Sequence, residues 1–583
     1  MSISISAQQI INVENRNITS LNGKWNIIID PYENGYYNYR YEPHENGYFK
    51  NAKQKDPSEL LEYSFDTDEM LYVPGDWNSQ QEKLLLYEGT IWYKKSFDYA
   101  LPKDKRLFVY FGAVNYDAKV YLNGELLGHH EDGFTPFQFE ITDKVKEKDN
   151  FIIVKVDNKR FQDAVPTVNT DWYNYGGITR GVTLIETEAT FINDYFIQLK
   201  KGDQKTIAGY VQLDGVELNQ EVIIEIPEAA ISQQITTNEN GYAEFEFTKV
   251  LELWSPENPK LYEVNIILNN DMLTDKIGFR TIETQGTDIL LNGKPIYLKG
   301  ISIHEEAPYG NGSRAFSEDH SKILLGWAKE LGCNFVRLAH YTHNESMLRM
   351  ADEMGLLVWS EIPVYWTISW ENEATYQNAE NQLSTMVTRD KNRASIILWS
   401  LSNETPLSEP RFNFLTKLAK RVRQLDNTRL LTAAMEHHYI NPETLMIDDP
   451  FGEVLDVLGC NSYIGWYDGL PEKCRNIKWE TTYNKPVIIS EFGGGAMFNK
   501  HGDKLTRWTE EFQESVYEEN LAMFNKVDFI KGMSPWILKD FKSPRRHQPR
   551  IQDFWNVKGL VTDKGDKKKA YFILQNFYNS MSK

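Results

Sequence analysis

Two stretches of this 583-residue chain end a continuous apolar run in a glutamate, and they constrain the fold more than any other feature. Residues 394–404 read ASIILWSLSNE and end at Glu404, and residues 485–491 read KPVIISE and end at Glu491. Such runs are typical of strands that are buried on both faces, as in a parallel sheet covered by helices. An acid at the end of a buried strand is unusual for packing. It is typical of α/β barrel enzymes, which place reactive groups at the C-terminal ends of their strands.

The region around these stretches, residues 284–583, alternates between strand and helix patterns, and this predicts a (β/α)8 TIM barrel. The predicted barrel strands are Ile296–Ser302, Asn334–His340, Leu356–Ile362, Ile396–Ser402, Arg429–Met435, Leu455–Asn461, Pro486–Glu491 and Ile530–Leu538. The predicted helices are Ser317–Leu331, Glu345–Met354, Tyr376–Asp390, Glu409–Leu425, Thr509–Lys526 and Lys568–Ser580.

The first half of the chain has a different pattern, with short β-branched or aromatic strands separated by turn residues. Residues 1–187 predict a jelly-roll β-sandwich, with Asn123-Gly124 as a hairpin turn. Within it, Thr170–Arg180 is polar, aromatic and rich in glycine, which indicates a loop that reaches away from the sandwich. Residues 188–283 predict an immunoglobulin-like sandwich; the alternative is an extension of the first one.

Composition excludes several classes of function. A net charge of −20 argues against nucleic acid or an acidic membrane surface as a partner. No apolar run approaches 18 residues, and Cys333, Cys460 and Cys474 show neither disulfide nor metal spacing. The N-terminal segment lacks a secretory pattern, so we expect a cytoplasmic protein, or a periplasmic one if a signal was removed.

The pair of glutamates predicts chemistry on a glycosidic bond. Two carboxyl groups about 5–5.5 Å apart would hydrolyse it with retention of configuration, through a covalent intermediate. The alternative for either residue alone is a glutamate in a surface loop. A glutamate directly after a buried strand occurs twice in the same region, and this repetition favours the enzymatic interpretation. No metal or cofactor is expected, because none of the histidines has the spacing of a zinc hydrolase.

Several motifs extend this interpretation to a family. The chain resembles glycoside hydrolase family 2 along nearly its whole length, and most closely its β-glucuronidases. The motifs are YEGTIWY at 87–93, DGFTPFQF at 132–139, LNGKPIYLKG at 291–300, NFVRLAH at 334–340, WSLSNE at 399–404 and ISEFG at 489–493. The resemblance implies Glu404 as general acid/base, Glu491 as nucleophile and Asn403 as a ligand of the sugar 2-hydroxyl.

The resemblance also implies a set of supporting residues. Tyr463 and Tyr467, in NSYIGWY, are expected in the pocket, with Tyr463 beside the nucleophile. Asp171, in TDWYNYGG, is expected to bind sugar hydroxyls, and Trp536 to form a floor for the sugar ring. Other expectations are that Arg337 and His340 support the nucleophile, that Lys567–Lys569 is a solvated surface, and that the protein is a dimer or tetramer.

The segment WNVKGLV at 555–561 indicates the substrate. An ammonium at Lys558 and an amide at Asn556 would suit the carboxylate of a uronic acid. A departure from the family is Gln552, where an arginine is often found; Arg545, Arg546 and Arg550 lie close by and could substitute. The expected activity is hydrolysis of β-D-glucuronides, on uronic-acid-capped oligosaccharides or conjugates. The alternatives are a β-galactosidase or β-galacturonidase of the same family, and a carbohydrate-binding protein without catalysis.

Overall fold

The computed structural model describes residues 9–44, 47–49, 54, 56–269 and 271–581. The chain begins with a sandwich of a four-stranded sheet, in the order β1-β10-β5-β8, and a six-stranded sheet, in the order β3-β2-β4-β9-β6-β7. Its elements are β1 Asn17–Ser20, β2 Gly23–Ile29, β3 Met70–Val73, α1 Trp77–Gln80, β4 Thr90–Phe97, β5 Lys105–Phe111, β6 Asp117–Leu122, β7 Glu125–Glu131, β8 Phe137–Glu140, β9 Asn150–Asp157 and β10 Val182–Glu188.

The predicted turn at Asn123-Gly124 joins β6 to β7, and both residues have positive φ, as a two-residue hairpin requires. Apolar side chains from both sheets, including the fully buried Trp25 and Tyr93, form one core together with Trp77 of α1. The sandwich predicted from strand patterning is therefore confirmed.

A second, smaller sandwich follows. Its sheets run β11-β12-β15 and β14-β13-β16-β17, and they enclose a separate apolar core. The strands are β11 Phe191–Leu199, β12 Thr206–Asp214, β13 Glu221–Ile226, β14 Ile231–Thr236, β15 Tyr242–Thr248, β16 Tyr262–Leu268 and β17 Asp271–Ile277. A three-stranded sheet, β18 Ile282–Gln285, β19 Asp288–Leu291 and β20 Lys294–Pro295, leads into the barrel.

The barrel is one parallel sheet in the order β21-β32-β31-β29-β26-β25-β24-β23-β22. Its strands are β21 Leu298–Lys299, β22 Ser302–Ile303, β23 Phe335–Leu338, β24 Leu357–Glu361, β25 Ile396–Asn403, β26 Leu430–Met435, β29 Leu458–Asn461, β31 Val487–Glu491 and β32 Ile530–Met533. The outer helices are α2 Glu318–Glu330, α3 Glu345–Met354, α4 Glu373–Asp390, α5 Glu409–Leu425, α6 Glu510–Phe524 and α7 Lys569–Ser580.

The first barrel strand differs from the prediction, because it is broken at Gly300 and Ile301 into β21 and β22. The first piece pairs with β32 and the second with β23, so together they close the barrel. A side chain at Gly300 would lie 2.5 Å from Phe335 and 2.6 Å from the Met533 carbonyl, so both neighbouring strands approach too closely for one.

The barrel also departs from a regular strand–helix alternation after β26. Here the chain forms a small sheet from β27 His438–Asn441, β28 Thr444–Ile447 and β30 Lys478–Thr481. Two short 3₁₀ turns, Pro450–Glu453 and Pro471–Arg475, stand where helices would follow the fifth and sixth strands. A last pair, β33 Phe541–Lys542 and β34 Trp555–Asn556, brackets a loop of residues 543–554 after the eighth strand.

Buried ion pairs connect the three parts of the chain. Arg180 of the first sandwich lies 3.0 Å from Glu305 of the barrel, and both side chains are almost fully buried. Asp194 of the second sandwich lies 2.6 Å from Lys391. A buried charge is costly unless it is paired, so breaking either contact would disfavour the position of its sandwich against the barrel.

One expectation for the surface is wrong. Lys568 was expected on a solvated face, but its side chain is completely buried. Its ammonium lies 2.8 Å from Asp540 and 3.0 Å from the carbonyl of Val557, where it joins helix α7 to the segment behind β34. Cys333, Cys460 and Cys474 are buried free thiols. No helix in the described part of the chain is long and apolar enough to cross a membrane.

Candidate active site

Glu491 is the last residue of β31, and its carboxylate is enclosed by donors. Arg337 Nη1 donates to Oε1 at 2.9 Å, and the Tyr463 hydroxyl donates to Oε2 at 2.5 Å. His340 Nε2 lies 3.8 Å from Oε1. Burial raises the pKa of Glu491, and the nearby Glu404 raises it further, while Arg337, His340 and Tyr463 oppose the rise.

Arg337 joins four strands of the barrel. It is fully buried in β23, and it also donates to both carboxylate oxygens of Glu361 in β24, each at 3.2 Å, and to Asn403 Oδ1 in β25 at 2.6 Å. Burial alone would raise the pKa of Glu361, but Arg337 and His340 lower it to about 2. A permanently ionised Glu361 therefore fixes the guanidinium that contacts Glu491.

Glu404 follows β25 directly and has a very different environment. Its φ of 48° is left-handed, and its backbone N–H donates to the Ala434 carbonyl at 2.9 Å. Trp366 Nε1 donates to Oε2 at 2.8 Å, and Asn461 Nδ2 donates to Oε1 at 2.9 Å. Each carboxyl oxygen thus accepts from a neutral group, and the side chain is only partly buried.

Asn461 and Asn403 connect the two glutamates. Asn461 stands opposite Glu491 in the strand register, and its amide also donates to Asn403 Oδ1 at 3.2 Å. Two donors, Asn461 and Arg337, therefore fix the orientation of the Asn403 amide. Asn403 Nδ2 is buried without a hydrogen-bond partner among the described residues. An unpaired buried donor is costly, and this NH2 group is available to a ligand.

Aromatic side chains form one wall of the site. Trp536 stacks on the ring of His340, with centroids 4.7 Å apart and planes 22° apart. Trp172, from the predicted protruding loop of the first sandwich, packs against His340 and edge-on against Tyr365. The loop does leave its sandwich: Tyr175 donates to Glu306 of the barrel at 2.9 Å. The first sandwich therefore contributes directly to the mouth of the barrel.

A cationic group lies on the opposite side. The Lys558 ammonium is buried and donates to the Tyr467 hydroxyl at 2.9 Å, and no carboxylate partner for it occurs among the described residues. Arg546 Nη1 donates to the same hydroxyl at 3.3 Å. Burial would raise the pKa of Tyr467, but these two cations lower it. Lys558 also lies over the ring of Tyr463, 5.6 Å from its centroid, so one ring separates it from Glu491.

Arg546 takes its position from Asp171. Its Nε donates to Asp171 Oδ1 at 2.9 Å, and its Nη2 forms an ion pair with Oδ2. Ser543 also donates to Oδ1 at 2.8 Å, and Asn556 Nδ2 lies 3.5 Å from Oδ2. Asp171 therefore anchors an arginine from the 543–554 loop.

The local chain explains why Lys558 points inward. Asn556 is paired in β34, and its Oδ1 accepts from the Lys558 backbone N–H at 3.2 Å. At Gly559 a side chain would lie 2.1 Å from the Asp540 backbone, so only glycine allows this approach. The turn places Lys558 in the lining of a cavity that opens to solvent. The cavity is lined by Trp466, Tyr467, Arg507, Trp508, Arg546, Gln552, Asn556 and Lys558.

The structure brings the predicted residues together in two groups. Hydrogen bonds join Glu404, Glu491, Asn403, Arg337 and Tyr463, with His340 beside them and Trp536 stacked on it. A second group contains Asp171, Tyr467, Asn556 and Lys558. Sequence reasoning missed Glu361, Trp366 and Asn461. Glu361 and Asn461 each end a buried barrel strand, so the signal that identified Glu404 could have found them. Trp366 lies in a loop and carries no such signal.

Three family models together match most of the chain. They describe the sugar binding domain of glycosyl hydrolases family 2 at residues 18–188, a further family 2 domain at 190–280, and the family 2 TIM barrel domain at 282–583. A β-glucuronidase of Paenibacillus borealis is 28% identical over 565 residues, which cover 87% of this chain and 91% of that protein.

Solved structures agree with this. A β-glucuronidase from an uncultured Clostridium species has a TM-score of 0.82 and 27% identity, covering 99% of this chain and 100% of its own. A Bifidobacterium dentium β-glucuronidase, complexed with coumarin-3-O-glucuronide, has a TM-score of 0.82 and 25% identity, covering 98% of both chains. The barrel model alone spans more than half of the sequence, and the chain belongs to glycoside hydrolase family 2, a family of retaining glycosidases.

Proposed function

We propose that the protein is a retaining exo-β-glucuronidase. The observation that carries the proposal is Lys558, a residue that is 4% exposed and whose ammonium has a single phenol as its hydrogen-bond partner among the described residues. Burying an ammonium without a counter-charge is costly, and a uronate carboxylate would supply that charge. Arg546 and Asn556 lie beside it. Lys558 also lies over the ring of Tyr463, whose hydroxyl binds Glu491, so the charged end of a sugar and its reacting end can be bound together.

The two glutamates divide the reaction between them. Glu491 attacks the anomeric carbon while Glu404 donates its proton to the glycosidic oxygen, so the bond to the leaving group breaks as the glycosyl ester forms. Glu404 then removes a proton from water, the water oxygen attacks the anomeric carbon, and the ester bond to Glu491 breaks. Two inversions at the same carbon give retention. The fixed hydrogen-bond donors around Glu491 suit a nucleophile, which must be ionised. The partial exposure of Glu404 suits an acid/base, which must exchange protons.

Asn403 is assigned to the sugar 2-hydroxyl. Its oxygen is occupied by Arg337 and Asn461, and its free N–H is the only part of the amide available to substrate among the contacts described. A hydrogen bond to the 2-hydroxyl strengthens as positive charge develops on the ring in the transition state. Trp536 would form the floor of the ring site. Asp171 would bind a sugar hydroxyl with its remaining lone pairs while it positions Arg546.

The relatives support a glucuronide as substrate. The Paenibacillus and Clostridium proteins are named β-glucuronidases, and the Bifidobacterium enzyme was solved with a glucuronide.

Matched aryl β-D-glucuronide, β-D-galacturonide and β-D-galactoside test the proposal in one assay. We expect the glucuronide to have the highest kcat/KM, because Lys558 and Arg546 bind its carboxylate. A higher kcat/KM for the galacturonide would still support the carboxylate site, but it would show that the enzyme prefers the opposite configuration at the sugar 4-hydroxyl. A faster galactoside would overturn the proposal in favour of a neutral glycosidase, and no turnover of any substrate would favour a carbohydrate-binding protein.

We also propose three features that the site does not decide. The division of the chain at about residues 187 and 283 is supported by the separate cores of the two sandwiches. A dimer or tetramer follows from family resemblance, and light scattering would test it. A cytoplasmic or periplasmic location is proposed, and fractionation of the source cells would test it.

A further inference from the structure

A second arginine of the 543–554 loop lies next to the proposed acid/base. The Arg545 guanidinium stacks on the ring of Trp366, 4.6 Å from its centroid. The indole N–H of the same Trp366 donates to Glu404 Oε2 at 2.8 Å. One aromatic ring therefore separates a cation from the carboxyl group that must reach the glycosidic oxygen.

Arg545 differs from its neighbour Arg546 because no carboxylate pairs with it among the described residues. Nη1 of Arg545 donates to the neutral Asn169 Oδ1 at 2.8 Å. A guanidinium carries five N–H donors, so several remain free. Arg546, the next residue, is instead paired with Asp171 on the sugar side. Two adjacent arginines thus face two different regions, and the exposed Arg545 is the one near Glu404.

The region around Arg545 is the position for the leaving group. The glycone lies between Glu491 and Lys558, and Glu404 must approach the bond on its far side. The leaving group therefore extends past Glu404 and along Trp366. Glu436 follows β26 on the strand-5 side of Glu404; burial and the charge of Glu404 raise its pKa. That side carries a second acidic side chain, whereas the strand-3 side carries the guanidinium of Arg545 on Trp366, so the strand-3 side is the one that suits an anionic group.

The local charge fits such a group. The segment 543–550, SPRRHQPR, contains three arginines, one histidine and no acid, in a chain whose net charge is −20. A basic segment at the mouth of an acidic protein attracts anions locally and offsets the general repulsion.

We propose that Trp366 and Arg545 form a leaving-group subsite that selects glucuronides whose aglycone carries a carboxylate or sulfate. The proposal rests on the proposed function and specifies its substrate class. The indole supplies a flat apolar face for a sugar or aryl ring, and the guanidinium binds the anion with two parallel N–H groups. A second uronic acid unit or a sulfated sugar in an oligosaccharide has this chemistry, as does a charged aryl conjugate.

The test uses three aryl β-D-glucuronides with leaving groups of matched pKa, one neutral, one bearing a carboxylate and one bearing a sulfate. We expect Arg545→Gln to reduce the charged-to-neutral ratio of kcat/KM about 5- to 30-fold, the range of a charge-assisted hydrogen bond at a partly exposed site. Arg550→Gln, which removes the same charge from the same loop, is the control and should leave the ratio unchanged. Added salt should reduce the wild-type ratio and have less effect on Arg545→Gln.

Each outcome decides the proposal. A lower charged-to-neutral ratio for both charged substrates supports a general anion subsite. A lower ratio for only one of them shows whether the subsite binds a carboxylate or a sulfate. An unchanged ratio, or an equal change in Arg550→Gln, overturns it. Failure of the proposed function is distinguishable, because the wild-type enzyme would then hydrolyse none of the three glucuronides, including the neutral one.

Discussion

The two sides of the pocket are built in different ways. Glu404 and Glu491, with Arg337, Asn403 and Asn461, lie at or near the C-terminal ends of four barrel strands and are joined by short hydrogen bonds. The opposite side is assembled from distant loops. Lys558 and Arg546 come from the segment after the eighth strand, and Asp171 comes from the first sandwich, 375 residues away from Arg546 in sequence.

This difference separates reaction from specificity. The strands fix the distance and direction of the reacting groups, because their register cannot shift without disrupting the core. The loops can change length and sequence without affecting that core. Arg546 illustrates this: the 543–554 loop brings its guanidinium to Asp171 and to the Tyr467 hydroxyl. The predictions below test whether the two sides are independent, from the largest expected effect to the smallest.

Removing the nucleophile tests the strand side most directly. Glu491→Ala should reduce turnover by on the order of 10⁴-fold or more, because no other group can form the glycosyl intermediate. Azide should restore turnover by entering the vacated space, and the product should be the α-glycosyl azide. The product anomer can be determined by NMR. Retention of the wild-type rate would show that Glu491 is not the nucleophile.

Removing the ammonium tests the loop side. Lys558→Ala should cost uronides about 2–4 kcal/mol in kcat/KM, the range for a buried charged partner, and should affect a galactoside much less. Measurements of both substrates with the same variant give the ratio. An unchanged ratio would mean that Lys558 does not bind the carboxylate. Lys564→Ala, a neighbouring lysine in an exposed turn, is a matched control.

Breaking the anchor of Arg546 should have a smaller effect. Asp171→Asn and Arg546→Ala should each reduce kcat/KM for a glucuronide by about 1–3 kcal/mol, and the double variant should lose less than the sum. The reason is that Asp171 acts in part by orienting Arg546. Fully additive losses would show that the two residues bind the substrate independently.

The finest test concerns pH. The Tyr463 hydroxyl opposes the rise that burial causes in the pKa of Glu491. Tyr463→Phe should therefore raise this pKa, and the acidic limb of the kcat/KM profile should move to higher pH, because Glu491 must be ionised to attack. Tyr439→Phe removes a phenol that is bound to Asp468 instead, and should leave the limb in place. A shift to lower pH would contradict this explanation.

The strand side was far more accessible from sequence than the loop side. Apolar runs locate buried strands, and the parallel arrangement gathers their C-terminal ends, so Glu404, Glu491, Asn403 and Arg337 could be placed from pattern and family resemblance. Arg546 could only be named as one of three nearby arginines. Which of the three arginines enters the pocket depends on the position of Asp171, which belongs to another domain. The local sequence pattern contains no information about that position.

Similar limits explain the errors in the fold. The break in the first strand lies at Gly300, where β23 and β32 both approach too closely for a side chain, and these neighbours are 35 or more residues away in sequence. The burial of Lys568 also depends on a distant segment. A run of three lysines predicts a solvated surface, but the middle lysine forms an ion pair with Asp540. Charge patterns predict exposure only when no partner arrives from elsewhere.

The Asp171–Arg546 pair has a practical consequence for dissecting this enzyme. A barrel expressed by itself would retain both glutamates, but it would lack the sandwich residue that orients Arg546 and the Trp172 ring at its mouth. Such a fragment would be an incomplete catalyst, even if folded. A barrel exchanged between family members should accordingly be active only when the protruding loop of its own first sandwich is transferred together with it.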